Sequence, residues 1–247
     1  MQAFALTDIG KRRETNQDFV FESTVPVGQF RNLFILADGM GGHKAGDYAS
    51  KYLTTELVSF VSRSVDNEPV RTLQGGITLA NSLIYAKANE EEDYSGMGTT
   101  VVAATISDGF LTAANVGDSR LYIINNEIRQ ITRDHSLVEE LAVMGAIERG
   151  SDAYKRKKNI ITRAVGIERD VRPDFYDEKL QNGDYILLCS DGLTNMVDDD
   201  EILSLVTGNG SVEYKARELV RKANEHGGSD NIAIILIRYT EGGDANA

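Results

Sequence analysis

The sequence predicts an antiparallel α+β fold, on the basis of short β-like runs, hairpin turns between them and pairs of amphipathic helices. Asp108-Gly109 and Asn125-Asn126 each separate two β-like runs, which is the pattern of a β-hairpin. Residues 45–61 and 70–88 carry apolar side chains at helical spacing between the early and the middle strands. Hairpins interleaved with helix pairs favour antiparallel sheets over alternating βαβ units.

The predicted strands run from the first residues to the end of the chain, each an apolar or β-branched run bounded by turn residues. They are residues 3–6, 19–23, 32–37, 99–105, 110–116, 120–124, 128–131, 184–190 and 231–239. Two late helices are predicted near 198–206 and 212–225, and aspartates 198 to 200 suit a helix N-terminus. Because the chain shows neither an internal repeat nor a low-complexity linker, residues 1–240 are predicted to form one domain and residues 241–247 a flexible tail.

The segment 145–172 differs from its surroundings because it is polar and lacks a long apolar pattern. Lys155-Arg156-Lys157-Lys158 stands at its centre. We predict a mobile surface flap here. The alternative is a solvated loop that has no role.

Composition and charge narrow the class of protein. The 247 residues carry 26 basic and 38 acidic side chains, for a net charge of −12. An acidic surface argues against non-specific binding to nucleic acid or to an anionic membrane, so neither is expected as a partner. With no basic leader before an apolar core and no run long enough to span a membrane, the sequence predicts a cytoplasmic protein.

The few cysteine and histidine residues limit the redox and metal chemistry. One cysteine, Cys189, excludes an intramolecular disulfide and fits a reducing compartment, and its place inside a predicted strand indicates packing rather than catalysis. Three histidines and one cysteine cannot form a His/Cys-rich zinc site. Any bound metal is therefore expected to have mainly oxygen ligands.

Five aspartates share a position at or next to a predicted strand end: Asp18, Asp38, Asp118, Asp191 and Asp230. Carboxylates that converge repel each other, and a divalent cation removes that penalty. Carboxylate, carbonyl and water oxygens suit magnesium, manganese or calcium. Gly39 and Gly192, each directly after an aspartate, would allow the backbone to turn in close and present a carbonyl. The alternative is a pair of ordinary Asp-Gly turns.

Two hard cations can activate a shared water and hold an anionic ester for attack, which predicts hydrolysis of a phosphate ester. Arg13, five residues before Asp18, is placed to grip phosphate oxygens, although a plain surface arginine is the alternative. A nucleotide-binding G-x-x-x-x-G-K-[ST] loop and a G-x-S-x-G nucleophile elbow are both absent from the sequence.

Seven motifs occur in a fixed order and together resemble one family. They are RETNQD (13–18), ADGMGGH (37–43), GTT (98–100), NVGDSR (115–120), DHS (134–136), SDGL (190–193) and SDN (229–231). This set resembles the metal-dependent type-2C (PPM) serine/threonine protein phosphatases, most closely the compact bacterial members, over residues 1 to about 240. The resemblance implies a four-layer α-β-β-α sandwich, in which two antiparallel sheets are flanked by antiparallel helix pairs.

The resemblance also implies a metal centre of two tightly bound Mn²⁺ or Mg²⁺ ions and a third, looser one. Asp38 would bridge two metals, and Gly39 would give a backbone carbonyl to one of them. Asp191 and Asp230 would hold the other metal, and Asp118 would share the third with Asp191. Asp18 would support the cluster through water.

The same resemblance assigns substrate and proton-transfer roles. Arg13 would bind the substrate phosphate, and His43 would protonate the leaving serine or threonine oxygen as general acid. Two departures bear on this: Gln17 stands where many relatives have glutamate, and Met40 stands where eukaryotic members have histidine. The flap, residues 145–172, would lie beside the active site, where its basic run would steer phosphoproteins.

The predicted function is a manganese- or magnesium-dependent phosphoserine/phosphothreonine protein phosphatase, in which a metal-bridging hydroxide attacks phosphorus directly. It would oppose a serine/threonine kinase in bacterial signalling, with that cognate kinase and its substrates as partners, and act as a monomer. One rival is a catalytically silent binding module on the same fold, against which the five retained aspartates argue. The other is hydrolysis of a small phosphomonoester or a role as a regulatory phosphatase domain.

Overall fold

The predicted strands pair into two antiparallel sheets in the computed structural model of the chain, which describes residues 1–42, 45–151 and 160–241. One sheet, called sheet I, has the strand order β1-β11-β10-β7-β8, and the other, sheet II, has the order β2-β3-β5-β6-β9, with β4 paired to β3. The strands are β1 (Gln2–Asp8), β2 (Asp18–Ser23), β3 (Leu33–Met40), β4 (Gly98–Thr99), β5 (Val101–Ser107), β6 (Phe110–Val116), β7 (Arg120–Ile124), β8 (Ile128–Gln130), β9 (Asp174–Lys179), β10 (Tyr185–Cys189) and β11 (Ile232–Arg238).

Helices cover the outer face of each sheet. They are α1 (Ala45–Arg63), α2 (Pro69–Glu90), α3 (Leu137–Val143), α4 (Asp191–Thr194), α5 (Asp199–Thr207) and α6 (Val212–Glu225), with a short 3₁₀ turn at Glu92–Tyr94. Asp198 caps α5 by accepting a hydrogen bond from the backbone of Glu201, as the acidic run predicted. Helices α1 and α2 pack on sheet II, and α5 and α6 pack on sheet I, so the four-layer α-β-β-α prediction is confirmed.

Alternate side chains of the central strands point to opposite faces of their sheet, so the core has three layers. In β3, Leu33 and Ile35 contact the helices while Phe34 and Leu36 face the other sheet. In β11, Ile232, Ile234 and Leu236 contact the helices, and Ala233, Ile235 and Ile237 fill the space between the sheets. Because both faces of these strands are buried, their sequences read as continuous apolar runs.

Both predicted hairpin turns are present. Asp108 (φ 52°) and Gly109 (φ 81°) connect β5 to β6 with two left-handed residues, which is the conformation that such two-residue loops require. Asn125 and Asn126 lie between β7 and β8, and the Asn125 side chain accepts a hydrogen bond from the backbone of Glu127.

Several elements differ from the prediction. Strand β9 and helices α3 and α4 were not predicted, because β9 (DFYDEK) is polar and the two helices are only seven and four residues long. Strand β3 does not end before Asp38, as predicted, but continues to Met40, since Gly39 and Met40 pair with β4. Of the predicted flap, residues 145–151 and 160–172 are described, and its central basic run lies outside the described residues, as do residues 242–247 of the predicted tail.

Candidate metal centre

The five aspartates are carried by both sheets and approach each other at one end of the sandwich. Asp18 and Asp38 are direct partners in the β2–β3 register, and Asp118 follows β6 in sheet II. From sheet I, Asp191 begins α4 directly after β10 and Ser190, and Asp230 precedes β11. The site is therefore built across the two sheets rather than within one.

Burial and mutual repulsion both act on these carboxylates. Burial, and then the charges of Asp18, Asp191, Asp118 and Asp230, raise the pKa of Asp38 well above its usual range. Burial is also the main cause that raises the pKa of Asp18 to about 7 and that of Asp118 to about 8, with Asp191 adding to both. Without a counter-ion, this group of acids resists full ionisation at neutral pH.

Two glycines permit the close backbone approaches that bring the aspartates together. A Cβ atom on Gly192 would lie 1.9 Å from the carbonyl oxygen of Asn231, so only glycine lets α4 start against the β11 end. A Cβ on Gly39 would lie 2.0 Å from the carbonyl oxygen of Gly46 at the start of α1. The predicted turn at Gly39 is thus wrong: Gly39 is a strand residue, and its missing side chain makes room for α1.

Protein donors hold one oxygen of several aspartates in place. Ser190 Oγ donates to Asp18 Oδ2 at 2.7 Å, and Asn195 Nδ2 donates to Asp191 Oδ2 at 2.8 Å. The backbone of Asn231 donates to Asp230 Oδ1 at 2.8 Å. These contacts fix the carboxylates before any ligand arrives.

The donor set fits hard divalent cations. Two buried carboxylate oxygens, Asp18 Oδ1 and Asp118 Oδ1, have no hydrogen-bond partner among the described residues, although buried acceptors are normally satisfied. Within residues 1–42, 45–151 and 160–241, no three His, Cys, Asp or Glu side chains form a preformed metal site. Carboxylates that lack a counter-ion repel each other, so these side chains lie near one another without meeting at one point. Their oxygens are the type of ligand that magnesium and manganese prefer.

Arg13 lies at the edge of this group. Its Nη2 atom donates to Asp230 Oδ2 at 2.7 Å, and the Arg13 side chain is 47% exposed. A pocket of about 290 Å³ opens beside it, lined also by Arg12, Gln17 and Gly41. An accessible guanidinium next to the carboxylates suits an anionic ester. His43, the predicted general acid, lies outside the described residues.

Several polar side chains that position the site were quoted in the motifs but given no role. Asn231 accepts a hydrogen bond from the backbone of Gln17 and donates to the carbonyls of Ile9 and Thr15, which ties the segment that carries Arg13 to β11. Thr100 Oγ1 accepts from the backbone of Asp38 and contacts Ser119 Oγ at 2.7 Å. Asn231 directly follows Asp230 and Ser119 directly follows Asp118, so adjacency to a ligand candidate was their signal, whereas Thr100 had none beyond its place in the GTT motif.

The remaining histidines and Cys189 are structural. His135 is buried; its Nδ1 accepts a hydrogen bond from the backbone of Gly117, and burial lowers its pKa. His226 ends α6. Cys189 is fully buried in β10, as predicted.

Known proteins share the sequence pattern and the fold of this chain. The profile of the protein phosphatase 2C family matches residues 10–233. The chain is 40% identical to protein phosphatase PhpP of Streptococcus pneumoniae over 245 residues, which cover 98% of each chain. The structure of the S. agalactiae serine/threonine phosphatase superposes with a TM-score of 0.89 at 39% identity, covering 97% of this chain and 99% of that one.

A further solved structure is the catalytic domain of the serine/threonine protein phosphatase PstP in complex with two manganese ions. It superposes with a TM-score of 0.84 at 32% identity and covers 95% of this chain and 96% of that one. No helix in the described ranges is long and apolar enough to cross a membrane. The predicted family and enzyme class are confirmed, and the chain belongs to the protein phosphatase 2C family of serine/threonine phosphatases.

Proposed function

We propose that this protein hydrolyses phosphoserine and phosphothreonine in other proteins with the help of two divalent cations, manganese or magnesium. The observation that carries the proposal is the group of five buried or half-buried aspartates. Two of them have a buried oxygen with no hydrogen-bond partner in the part of the chain that the structure describes. Asp38, Asp191 and Asp230 would hold the two ions together with the Gly39 carbonyl, and Asp18 would act through water. Asp118 would hold a third ion with Asp191.

When bound, two such cations would supply Lewis acidity that lowers the pKa of a water, which would then be the nucleophile toward phosphorus. The chain itself supplies rigid carboxylates and a fixed cation. Arg13 is already oriented by Asp230 at 2.7 Å and would bind phosphoryl oxygens, where its charge stabilises the negative charge that develops there. His43 is proposed to protonate the leaving serine or threonine oxygen.

The biological role follows from the reaction. An enzyme that removes phosphate from serine and threonine opposes the kinase that adds it, so a cognate serine/threonine kinase and its substrates are the proposed partners. The net charge of −12 supports a protein partner over nucleic acid or an anionic membrane. We propose a cytoplasmic, monomeric enzyme of one domain.

Phosphate release from a phosphothreonine peptide tests the proposal, with manganese, magnesium or excess chelator present. Asp191→Asn should lower release at least about a hundredfold, because it weakens a ligand shared by two ions. Asp200→Asn, which removes an exposed carboxylate in the first turn of α5, is the matched control and should retain wild-type release. Release that persists in chelator, or that is equal in the two variants, would refute the metal-dependent reaction.

A further inference from the structure

A pocket of about 200 Å³ lies beside β3 next to the metal centre, between Met40 and the loop 161–171. We call it the Met40 pocket. Its apolar lining includes Met40, Ile161, Ile167 and Val171, and its charged lining includes Glu168 and Asp170. It is smaller than the roughly 300–1,000 Å³ of small-molecule sites, so its size fits one amino-acid side chain rather than a whole ligand.

The Met40 pocket has a fixed spacing from the proposed reaction centre. Asp38 and Met40 are two residues apart in β3, so their side chains leave the same face of the strand, about 6.5–7 Å apart along it. An extended peptide has the same repeat. A phosphopeptide that ran alongside β3 with its phosphorylated residue at Asp38 would place the side chain two positions to one side above the Met40 pocket.

The wall of the pocket is firmly held. Asn81 of α2, which is buried, accepts a hydrogen bond from the backbone of Gly166 at 2.7 Å and donates to the carbonyls of Glu168 and Arg169. Thr99 and Val165 exchange two backbone hydrogen bonds, which joins the loop to β4.

The loop also packs closely on its neighbours. A Cβ on Gly98 would lie 2.8 Å from Ile167 Cδ1, so the isoleucine packs directly on the glycine. The pocket therefore exists before a substrate binds.

The described lining residues of the pocket carry a net negative charge, with two carboxylates and one guanidinium. Glu168 and Asp170 are exposed, and neither has an ion-pair partner in the part of the chain that the structure describes. Among the described residues, Arg163 is the basic side chain that lines the pocket, and it is paired with Asp174 Oδ1 at 2.8 Å. An apolar interior with two uncompensated carboxylates at the rim suits a side chain that has a long aliphatic stem and a positive tip.

We propose that the Met40 pocket is a specificity subsite that accepts a lysine or arginine two residues from the phosphorylated serine or threonine. The stem would pack on Met40 and Ile167, and the charged end would meet Glu168 and Asp170. This inference rests on the proposed phosphatase function and names the substrate sequence that the same site favours. It gives an acidic enzyme a local means of selecting basic phosphopeptides.

A set of phosphothreonine peptides tests the subsite. The peptides differ only at position −2 or +2 relative to the phosphothreonine, where they carry lysine, alanine, leucine or glutamate. We expect kcat/KM for lysine to exceed that for glutamate about tenfold at one of the two positions, since attraction is replaced by repulsion. The Glu168→Gln/Asp170→Asn double variant should reduce this ratio to below about twofold.

Two controls separate the subsite from the reaction and from total charge. The Glu127→Gln/Asp200→Asn double variant removes two exposed carboxylates outside the pocket and should keep the lysine preference. Hydrolysis of p-nitrophenyl phosphate, which has no flanking residues, should be equal in all three proteins.

The outcomes are distinguishable. Three results overturn the subsite while leaving the phosphatase function intact, provided that peptides are hydrolysed normally. They are no lysine preference, a leucine preference, and a lysine preference that survives in Glu168→Gln/Asp170→Asn. No metal-dependent hydrolysis of any phosphopeptide overturns the proposed function, and the subsite with it.

Discussion

Asp18→Asn is predicted to stabilise the metal-free protein at alkaline pH, although it removes a candidate site residue. Burial, reinforced by the Asp191 and Asp230 carboxylates, raises the pKa of Asp18 from 3.8 to about 7. The native state therefore keeps a proton that the unfolded chain releases near pH 4. Since the native state binds more protons in this range, the free energy of unfolding falls as pH rises from about 4 to about 7 and is level above that.

The size of the effect follows from the same values. Between pH 5.5 and 7 the native state keeps the Asp18 proton and the unfolded chain does not. The free energy of unfolding therefore falls by 1.36 kcal/mol per pH unit, or about 2 kcal/mol over these 1.5 units. For a chain of this length, that shifts the melting temperature by about 4–8 °C. Asparagine cannot ionise, and its amide oxygen can still accept the hydrogen bond from Ser190 Oγ. The stability of the variant relative to wild type should therefore rise by this amount from pH 5.5 to pH 8.

Thermal unfolding in excess chelator at pH 5.5 and pH 8 measures this difference. The control is Asp184→Asn, at a buried aspartate far from the metal centre whose Oδ1 accepts from Asn125 Nδ2 and whose Oδ2 accepts from the Gln181 backbone. This control should not gain stability at pH 8. If Asp18→Asn is destabilised at pH 8 as much as Asp184→Asn, or if its relative stability does not change with pH, the electrostatic account of the site is wrong.

Three further predictions test other parts of the site. Arg13→Ala should lower kcat/KM for phosphopeptides about 10–100-fold. Arg13→Lys should restore only part of this activity, because a point charge does not replace a planar bidentate donor. Equal activity of the two variants would contradict this prediction. Gly192→Ala should lower the free energy of unfolding by about 1–3 kcal/mol and weaken Mn²⁺ binding in calorimetry, because its Cβ would meet a carbonyl oxygen at 1.9 Å. Gly42→Ala, with no atom within 4 Å of its Cβ, should leave both unchanged. Asp134→Ala should lower the free energy of unfolding by about 3–5 kcal/mol, because it leaves the partly buried Arg120 guanidinium without its bidentate partner. Chemical denaturation measures this change, and a loss below about 1 kcal/mol would show that the pair is not structural.

The strands were predictable because they combine β-branched runs with turn residues, and the core confirms the pattern on both faces of β3 and β11. Strand β9 was not predicted because its sequence, DFYDEK, is polar. It joins the sheet by pairing with β6, whose residues lie 59 to 69 positions earlier in the chain. The end of β3 was misplaced for a similar reason. Asp38-Gly39 has the composition of a turn, but the distant Gly98-Thr99 pair extends the strand through it.

The convergence of the aspartates was beyond reach of sequence pattern alone, because it depends on how two sheets stack. The sequence could indicate that Asp38 and Asp191 follow similar apolar runs. Which ends of β3 and β10 meet is decided by the core between the sheets, where Phe34 and Leu188 are both fully buried. The motif order supplied that information through resemblance, whereas the residue pattern left an ordinary pair of turns as an alternative.

The metal centre and the core of the sandwich impose opposite demands on the same residues. Stacking two apolar sheets takes Asp18, Asp38 and Asp118 out of water, and their raised pKa values are a consequence of that burial. Cations would remove the penalty by neutralising the group, so binding them should stabilise the fold as well as activate water. On this reasoning the retained aspartates are costly to the metal-free protein, and a chain that had lost catalysis would gain stability by replacing them. Their presence in all five positions therefore argues for a working metal centre rather than a silent binding module.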